Sequence, residues 1–486
     1  MRLKNSKKEY ILMKKILLLL VLITSIAQAQ YSVKGTMLPP NNTDWVILYK
    51  VEGAKQKFIA NTNTKIETLT IEGKEQQVGT FEFTLPAETK TGSYRLTYRQ
   101  DGSGFLDFLF NKENVELSFH PDYPEQSVVF MESKENQVFN EFLQATQITQ
   151  KTVDSLQVVY LRDASESVAK QFPEAVKKLQ DVYTIYDDRS KGLLANHFIK
   201  ALKRDVDSKP VASPQEYFSS IVDNYFNNID FSSKELYNSS FLIDRVSDYI
   251  FYLNYSAEPE LQQKLFKESI GNVMSKITDV KLKKETLEYL VTQFAKQQNG
   301  ETVDVLFNDY YSKLPASFQD NAFKAKKLAL VQAAIGRIAP DFSWKEEGKT
   351  KRLSTLKGGK NYLLIFWSTS CSHCVKEVPE LYKFMQTQKD TEVVAYALEK
   401  EDFEWNEFTK QLYGWHHVIG LNPKDKWDNK LVTETYQVHA TPSYFVLDAN
   451  KKIISKPYDL KEIKKVISAI NAPKKDAKKA TTPEKK

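Results

Sequence analysis

The pattern of apolar and polar positions changes twice along the chain. In the part that follows residue 30, apolar and polar side chains alternate, as in TFEFTLP (80–86), SYRLTYRQ (93–100) and NVELSFHP (114–121). Period-two alternation is typical of strands with one buried face. Because these strands follow one another without intervening helices, the pattern predicts an antiparallel β-sandwich-like domain over residues 30–133.

The second part, residues 134–333, has the period of amphipathic helices. One segment, SPQEYFSSIVDNYF, begins with Ser213 and Pro214, and Glu216 follows at the position that completes a capping box. Short polar separators lie between such segments, and no fixed repeat period is present. This pattern predicts a helical domain whose aromatic faces form its core.

The third part, residues 334–472, alternates between strands and helices. NYLLIFWS is a continuous apolar run of the kind found in a central buried strand, and a helix is expected from Ser372. TEVVAYALE predicts a further strand, and SYFVLDANKKIIS predicts a hairpin that turns at DANK. The last helix is expected to begin at Asp459, with Glu462 completing a capping box. The fold class expected for the whole chain is therefore multidomain, with an antiparallel β domain, a helical domain and a C-terminal α/β domain.

Charge is concentrated at the two ends of the chain. The chain carries a net charge of +6, of which residues 1–29 contribute +5 and residues 474–486 contribute +4, so the body between them is acidic at −3. A nucleic-acid footprint needs basic residues clustered on the folded part, so nucleic acid is not an expected partner. The tail 473–486 has no large apolar residue, and we expect it to be disordered.

The N-terminal 29 residues have the features of a cleaved export signal. Two lysines precede the apolar run Ile16–Ile23, and AQA ends at Ala29. A membrane anchor is the alternative, but the run is short for a span of about 20 residues. We therefore expect cleavage near Ala29, a periplasmic mature protein and no membrane span after cleavage.

The chain has only two cysteines, Cys371 and Cys374, which stand where the buried strand gives way to the helix. A disulfide between them would close almost no loop, so it would stabilise the fold little. A role in thiol chemistry explains the spacing of the two cysteines better than a role in stability. The first sulfur would face unpaired N–H groups and the positive end of the helix dipole, which favour its nucleophilic thiolate. The second, one turn later, could resolve a mixed disulfide formed by the first.

Residues 336–470 resemble a thioredoxin-fold domain of the TlpA/ResA type, the exported thiol–disulfide oxidoreductases. The resemblance rests on four segments in order: GRIAPDFSW, LLIFWSTSCSHC, VHATPSYFVLD and DANKKII. The preceding residues are similar to the β and helical regions of long Bacteroidetes-type members. The resemblance implies a thioredoxin fold for the C-terminal domain and dithiol–disulfide exchange as its activity.

Individual residues also carry over from the resemblance. It implies that Cys371 is the nucleophile, that Cys374 resolves, and that a half-buried Glu377 relays the proton of the second thiol, provided that burial raises the pKa of its carboxyl towards neutrality. It also implies a cis bond before Pro442, next to the cysteines. Where the family commonly has Trp directly before the first cysteine, this chain has serine. The expected substrate-binding residues are Trp367, Ser370, Ser372, His373, Thr441 and Pro442.

Other cysteine chemistries fit the sequence poorly. A c-type haem site needs His directly after the second cysteine, where this chain has Val375. A zinc site would have only His373 and His439 as further nearby ligands, and we expect no metal. His416 and His417 are expected at the surface. We therefore expect no cofactor other than the redox-active disulfide of Cys371 and Cys374.

The expected function is thiol–disulfide exchange on exported proteins, in the reducing direction, with cytochrome c maturation as one setting. The expected partners are exported proteins with thiols or disulfides and a membrane protein that donates electrons. An oxidase or isomerase is compatible with the same residues. The alternative of another class is a redox-sensing protein whose N-terminal regions bind a partner while the dithiol regulates.

Overall fold

The computed structural model describes residues 30–71, 73–100 and 103–472. The expected export signal and the lysine-rich tail lie outside the described residues. The chain divides between Thr286 and Leu287 into two compact units. The domain boundary predicted at residue 334 falls inside the second unit.

The first unit begins with nine strands. Their bounds are β1 Gln30–Met37, β2 Trp45–Glu52, β3 Lys55–Asn63, β4 Lys65–Ile71, β5 Lys74–Pro86, β6 Gly92–Thr97, β7 Phe105–Phe110, β8 Val115–Phe119 and β9 Val129–Glu132. They form one sheet in the order β4-β5-β1-β8-β9 and another in the order β3-β2-β6-β7. Among the described strands of this unit, all pairs are antiparallel except β1 with β8, which is parallel.

The alternating apolar positions predicted from the sequence form the core between these two sheets. The buried set includes Phe81, Phe83, Leu85, Tyr94, Leu96, Tyr98, Val115, Leu117 and Phe119. Side chains from β1 and β2 complete the same cluster. Because one cluster takes residues from both sheets, the strands form a sandwich, as predicted.

Helices follow the sandwich. Their bounds are α1 Pro124–Ser127, α2 Lys134–Asp163, α3 Glu166–Arg189, α4 Ala195–Ala201, α5 Pro214–Asn224, α6 Lys234–Tyr237, α7 Phe241–Ser247, α8 Pro259–Lys276, α9 Val280–Lys296, α10 Gly300–Val305 and α11 Asn321–Leu330. The Ser213 hydroxyl accepts the Glu216 N–H at 3.3 Å, which caps α5 where the capping-box pattern predicted a start. None of the helices in the described part of the chain combines the length and apolar character that a membrane span requires.

The C-terminal domain lies in the second unit. Its elements are β10 Ser343–Glu346, β11 Lys349–Arg352, β12 Asn361–Trp367, α12 Ser372–Met385, β13 Thr391–Glu399, α13 Phe403–Thr409, β14 His416–Leu421, β15 Ser443–Asp448, β16 Ile453–Ser455 and α14 Leu460–Asn471. The main sheet has the order β14-β13-β12-β15-β16, in which β12, β13 and β14 are parallel and β15 and β16 are antiparallel to their neighbours. This is the α/β thioredoxin fold that the sequence predicted.

The central strand β12 is buried on both faces. Leu363, Ile365 and Trp367 pack in one cluster with apolar residues of α12 and α14. Leu364 and Phe366 pack in a second cluster on the opposite face. The apolar run of β12 is continuous because both of its faces are covered, and the strand therefore delivers the following turn to a fixed place at the edge of the core.

The prediction that His416 and His417 are surface residues is wrong. The side chain of His416 is only 16% exposed, and its ring lies between two carboxylates. Its Nδ1 is 2.9 Å from Glu346 and its Nε2 is 3.4 Å from Glu392. Burial lowers the pKa of the neighbouring His417. The sequence analysis missed this because the carboxylates come from other strands.

Glu346 is held in its charged form by several partners. Burial alone would raise the pKa of this carboxyl, but hydrogen bonds from Lys351, Trp344 and His416 lower it to about 2. An ordinary glutamate has a pKa of roughly 4.3. Since the folded value lies below the unfolded one, the stability that Glu346 contributes is present above pH 4.3, roughly, and is lost as the pH falls towards 2.

We expect Glu346→Gln to lower the free energy of unfolding of the second unit by about 1–2 kcal/mol at pH 7, after a discount for partial exposure. The difference from the unsubstituted protein should shrink as the pH falls through roughly 4. Urea unfolding followed by tryptophan fluorescence measures this, since five of the six tryptophans lie at or beyond residue 344. Glu347→Gln, at an exposed position of the same hairpin, is the control. Equal losses in the two variants, or a gap independent of pH, would contradict the account.

Candidate active site

Cys371 is the residue that caps the N-terminus of α12. Strand β12 ends at Trp367, and after a turn of three residues Cys371 takes an extended conformation with φ −96° and ψ 112°. Its sulfur accepts the backbone N–H of Cys374 at 3.3 Å. One of the N–H groups that a helix start leaves without an intrahelical partner is thereby satisfied by sulfur instead of by the usual hydroxyl or carboxylate.

The surroundings of Cys371 favour its thiolate. Burial of the half-buried side chain would raise the pKa of Cys371, but hydrogen bonds involving Cys374, Thr441 and the backbone of His373 outweigh it and lower the pKa below its usual range. In the thiol form the sulfur donates to the carbonyl oxygen of Thr441 at 3.2 Å. A lowered pKa increases the thiolate fraction and hence the reactivity of the sulfur.

Cys374 has the opposite character. It is fully buried in the core cluster of α12 and β12. Burial and the hydrogen bond with Cys371 raise the pKa of Cys374 to about 12. Both cysteines are free thiols in this structure. The pair therefore consists of one accessible, acidic sulfur and one enclosed, protonated sulfur on adjacent turns.

The Thr441–Pro442 segment faces the first cysteine. The bond between these residues is cis, as the family resemblance implied. Both residues are half-buried and directly precede β15, and the Thr441 carbonyl oxygen is the one that approaches Cys371. The structure thus brings Thr441 to the cysteine although about seventy residues separate them in sequence.

Glu377 lies one turn after the second cysteine and is half-buried. Its carboxylate accepts a hydrogen bond from the hydroxyl of Tyr444 at 2.9 Å. Tyr444 is 2% exposed and packs in the same cluster as Cys374. Burial, Glu377 and then the two cysteines raise the pKa of Tyr444. A tyrosine hydroxyl therefore stands beside the carboxylate in the core that contains the resolving sulfur.

Tyr444 was missed by the sequence analysis. Its apolar neighbours made it look like an ordinary core residue of strand β15. The available signal was its position two residues after the proline that faces the cysteines.

The remaining predicted substrate-binding residues have different environments. Ser370, Ser372 and His373 are exposed around the start of α12, where a bound protein could reach them. The prediction that Trp367 binds the substrate is wrong. It is 0% exposed and packs against Phe408 at a ring-centroid distance of 5.2 Å, so its side chain cannot contact a protein substrate.

Two charged residues near the site also escaped the sequence analysis. Glu399, at the end of β13, accepts the backbone N–H of Thr369 at 2.6 Å. Lys426 donates to the Ser370 hydroxyl at 2.6 Å. The acidic end of an otherwise apolar strand, YALE, was the signal that could have indicated the first of them. Within the described residues, no group of three or more His, Cys, Asp or Glu side chains is arranged to hold a metal ion.

Known proteins share this region. Residues 334–466 match the Redoxin family model. Thiol-disulfide oxidoreductase ResA of Bacillus thuringiensis is 33% identical over 124 residues, which cover 25% of this chain and 67% of the relative. The ResA protein of Geobacillus thermodenitrificans is 31% identical over 144 residues, which cover 28% of this chain and 78% of the relative.

Solved structures with similarity to this chain include two from Bacteroides. The thioredoxin domain of a thiol-disulfide oxidoreductase from Bacteroides vulgatus has 26% identity and a TM-score of 0.25, and covers 28% of this chain and 97% of that one. A thiol:disulfide interchange protein from Bacteroides sp. has 24% identity and a TM-score of 0.27, and the match covers 30% of this chain and 97% of that one.

The difference between the two cysteines predicts an order of alkylation. We expect iodoacetamide at pH 7 to modify Cys371 first, since its pKa is lowered, while Cys374 stays unmodified in the folded protein. The rate should rise with pH and reach half its maximum below the roughly 8.5 of an ordinary cysteine. Mass spectrometry of timed samples measures both, with urea-unfolded protein as the control in which the two react alike. Equal rates in the folded protein would refute the asymmetry.

Proposed function

The chain belongs, through its C-terminal domain, to the TlpA/ResA-type thiol-disulfide oxidoreductases, and on that premise we propose that it reduces disulfide bonds of exported proteins through Cys371 and Cys374. The observation that carries the proposal is the asymmetry of the pair. Cys371 is half-buried with a lowered pKa, whereas Cys374 is enclosed with a pKa raised to about 12. A nucleophile needs an accessible sulfur with a lowered pKa, whereas a resolving thiol tolerates burial and a raised pKa.

The proposed cycle begins with attack of the Cys371 thiolate on one sulfur of a substrate disulfide. A mixed disulfide forms, and the departing substrate sulfur takes up a proton. Cys374 then loses its proton and attacks the Cys371 sulfur, which releases the second substrate thiol. The substrate gains two electrons and two protons, and the Cys371–Cys374 disulfide remains. In this cycle the cysteine pair is the redox group, and no other cofactor takes part.

Deprotonation of Cys374 is the demanding step, because a pKa of about 12 leaves very little thiolate at neutral pH. In the proposal, the Glu377 carboxylate accepts this proton by way of the Tyr444 hydroxyl. The hydrogen bond from Tyr444 to Glu377 and the packing of Tyr444 with Cys374 support such a route. The Tyr444 hydroxyl suits this role because it can both donate and accept a hydrogen bond.

Substrate recognition is assigned to the surface around Cys371. The backbone of Thr441, ahead of Pro442, offers polar groups with which an extended substrate segment could pair. Ser370, Ser372 and His373 form the exposed rim at the start of α12. Main-chain pairing explains how one groove would accept several protein substrates, because it makes few demands on side chains.

We place the reaction in the periplasm and in the reducing direction. Support for the location comes from the lysine pair and apolar run that precede Ala29. Support for the direction comes from the TlpA/ResA resemblance, which also favours cytochrome c maturation as a setting. A membrane protein with a reactive dithiol would return the pair to its reduced form. A potential near about −270 mV would fit a reductase, and one near about −120 mV would fit an oxidant.

A second candidate function is a redox-sensing protein that binds a partner through its first unit. The observation that favours it is a cavity of about 320 Å³ in that unit. Its lining includes Phe108, Phe139, Phe198 and Phe241. Aromatic cavities of this size are typical of ligand sites. In this function the dithiol would regulate binding and would not turn over.

We expect Cys374→Ala to accumulate mixed disulfides with proteins of a periplasmic extract, because the first attack occurs and the second cannot. Cys371→Ser, which keeps the fold but removes the nucleophile, is the control and should trap nothing. Mass spectrometry of the trapped proteins identifies the substrates, and insulin reduction by the unsubstituted chain measures turnover. An empty trap together with no turnover would refute the enzyme function and favour the sensor.

We expect Glu377→Gln and Tyr444→Phe each to slow resolution of the mixed disulfide about a hundredfold, the low end for a lost acid–base group. The initial alkylation rate of Cys371 should stay nearly unchanged, since neither substitution touches that sulfur. Rapid mixing with a disulfide of a chromogenic thiol separates the two steps. Glu380→Gln, exposed on the same helix, is the control. Unchanged resolution in both variants would contradict the relay.

A further inference from the structure

The turn between β12 and α12, residues 368–370, is held by two charged side chains that the proposed cycle does not use. We call it the active-site turn. Its chain path decides where Cys371 stands, because Cys371 follows it directly. Ser370, the residue directly before Cys371, has a small and exposed side chain that can pack little against the core. Hydrogen bonds are therefore the interactions available to fix this turn.

Glu399 fastens the turn from the end of strand β13. Its carboxylate accepts the Thr369 N–H at 2.6 Å, the Thr369 hydroxyl at 3.0 Å and the Ser368 hydroxyl at 3.4 Å. The residue is only 3% exposed, and burial raises its pKa. A buried carboxylate is costly unless hydrogen bonds compensate it. All three of these bonds come from the active-site turn.

Lys426 fastens the same turn from the loop after β14. Its ammonium donates to the Ser370 hydroxyl at 2.6 Å and to the Ser368 hydroxyl at 3.1 Å. Ser368, which is fully buried, thus lies between an anion and a cation. Every residue of the turn is bound to one or both of the charged groups. A flexible lysine held at two hydroxyls loses side-chain entropy, so a positional role is the economical explanation.

The active-site turn also acts on both cysteines. The Cys371 N–H donates to the Ser368 carbonyl oxygen at 3.2 Å. The backbone of Ser368 also acts on Cys374, where it partly offsets the rise in the pKa of that thiol. A displacement of Ser368 would therefore move the nucleophile and alter the surroundings of the resolving sulfur together. Among the described residues, the Glu399 carboxylate forms its hydrogen bonds with Ser368 and Thr369 and not with Cys371, so its influence passes through the turn.

We propose that Glu399 and Lys426 are positioning residues that tie the active-site turn to the ends of β13 and β14 and so keep Cys371 where the helix N–H groups reach its sulfur. Neither residue touches the reacting atoms. The proposal rests on the proposed function only for its effect on turnover. Its effect on Cys371 exists without any substrate and is measured separately.

The test is the titration of the Cys371 thiolate by absorbance at 240 nm in the full chain carrying Cys374→Ala. We expect Glu399→Ala to raise the midpoint by at least about half a pH unit, since the sulfur loses its aligned donors. Iodoacetamide alkylation at pH 7 should slow about threefold or more with it. Glu399→Gln can still accept the Thr369 N–H and should shift the midpoint less. Glu401→Ala, at an exposed neighbouring position, is the control and should change nothing.

Lys426 provides the second variant, at a position that is half-buried, whereas Glu399 is buried. We expect Lys426→Met to raise the midpoint and Lys426→Arg, which keeps the donors, to restore it. Lys424→Met, exposed on the same loop, is the control. Unchanged midpoints in folded Glu399→Ala and Lys426→Met would overturn the proposal. If Glu399→Ala does not fold, Lys426→Met decides alone.

Turnover separates this proposal from the function itself. In variants with both cysteines, Glu399→Ala and Lys426→Met should lower kcat/KM for insulin reduction by about tenfold, mainly through kcat. A misplaced nucleophile destabilises the transition state more than it weakens the binding of substrate. An inactive unsubstituted chain whose variants still shift the Cys371 midpoint would refute the proposed function and leave the positioning role supported. If the unsubstituted chain is active and the variants leave the Cys371 midpoint unshifted, the proposed function is supported and the positioning role is refuted.

Discussion

One constraint organises the C-terminal domain: the first turn of α12 has N–H groups with no partner in the helix, and a sulfur is the atom placed to accept them. The helix start acts as a fixed array of positive partial charges. A sulfur in that position is more stable as an anion, and an anionic sulfur is the reactive one. Strand β12, buried on both faces, and the packed helix together keep this arrangement rigid.

The same helix places the second cysteine under quite different conditions. Its side chain lies inside the core, where apolar side chains surround Cys374. The pKa values of two chemically identical side chains therefore shift in opposite directions, although only three residues separate them. In the proposed cycle one proton must leave this apolar core, and the hydrogen bond from Tyr444 to Glu377 supports a route for it.

The elements that local pattern determines could be predicted from the sequence, whereas contacts between distant segments could not. Strand β12, the start of α5 and the cysteine-capped helix follow from periodicity, capping residues and apolar runs. The parallel pairing of β1 with β8 follows from topology, which alternation does not encode. His416 looked exposed because its two carboxylate partners lie on other strands.

For the site, the cysteines, Glu377 and the cis proline bond could be anticipated from motif and resemblance. Tyr444 and Glu399 could not be anticipated, because they come close to the cysteines only when β15 and β13 pair with β12. Trp367 shows the converse error: its place next to the motif indicated contact with substrate, but it ends a strand that is covered on both faces, so its side chain is buried.

The parallel pairing of β1 has a consequence for biogenesis. The strand begins at Gln30, which pairs with Pro86, and it forms the middle of its sheet, with β5 on one side and β8 on the other. Both neighbours of β1 come later in the chain, so β1 keeps an unpaired edge until β8 has been synthesised. The first strand of the sandwich therefore completes its pairing only when nearly all the other strands have been made, and pairings between segments far apart in sequence form slowly.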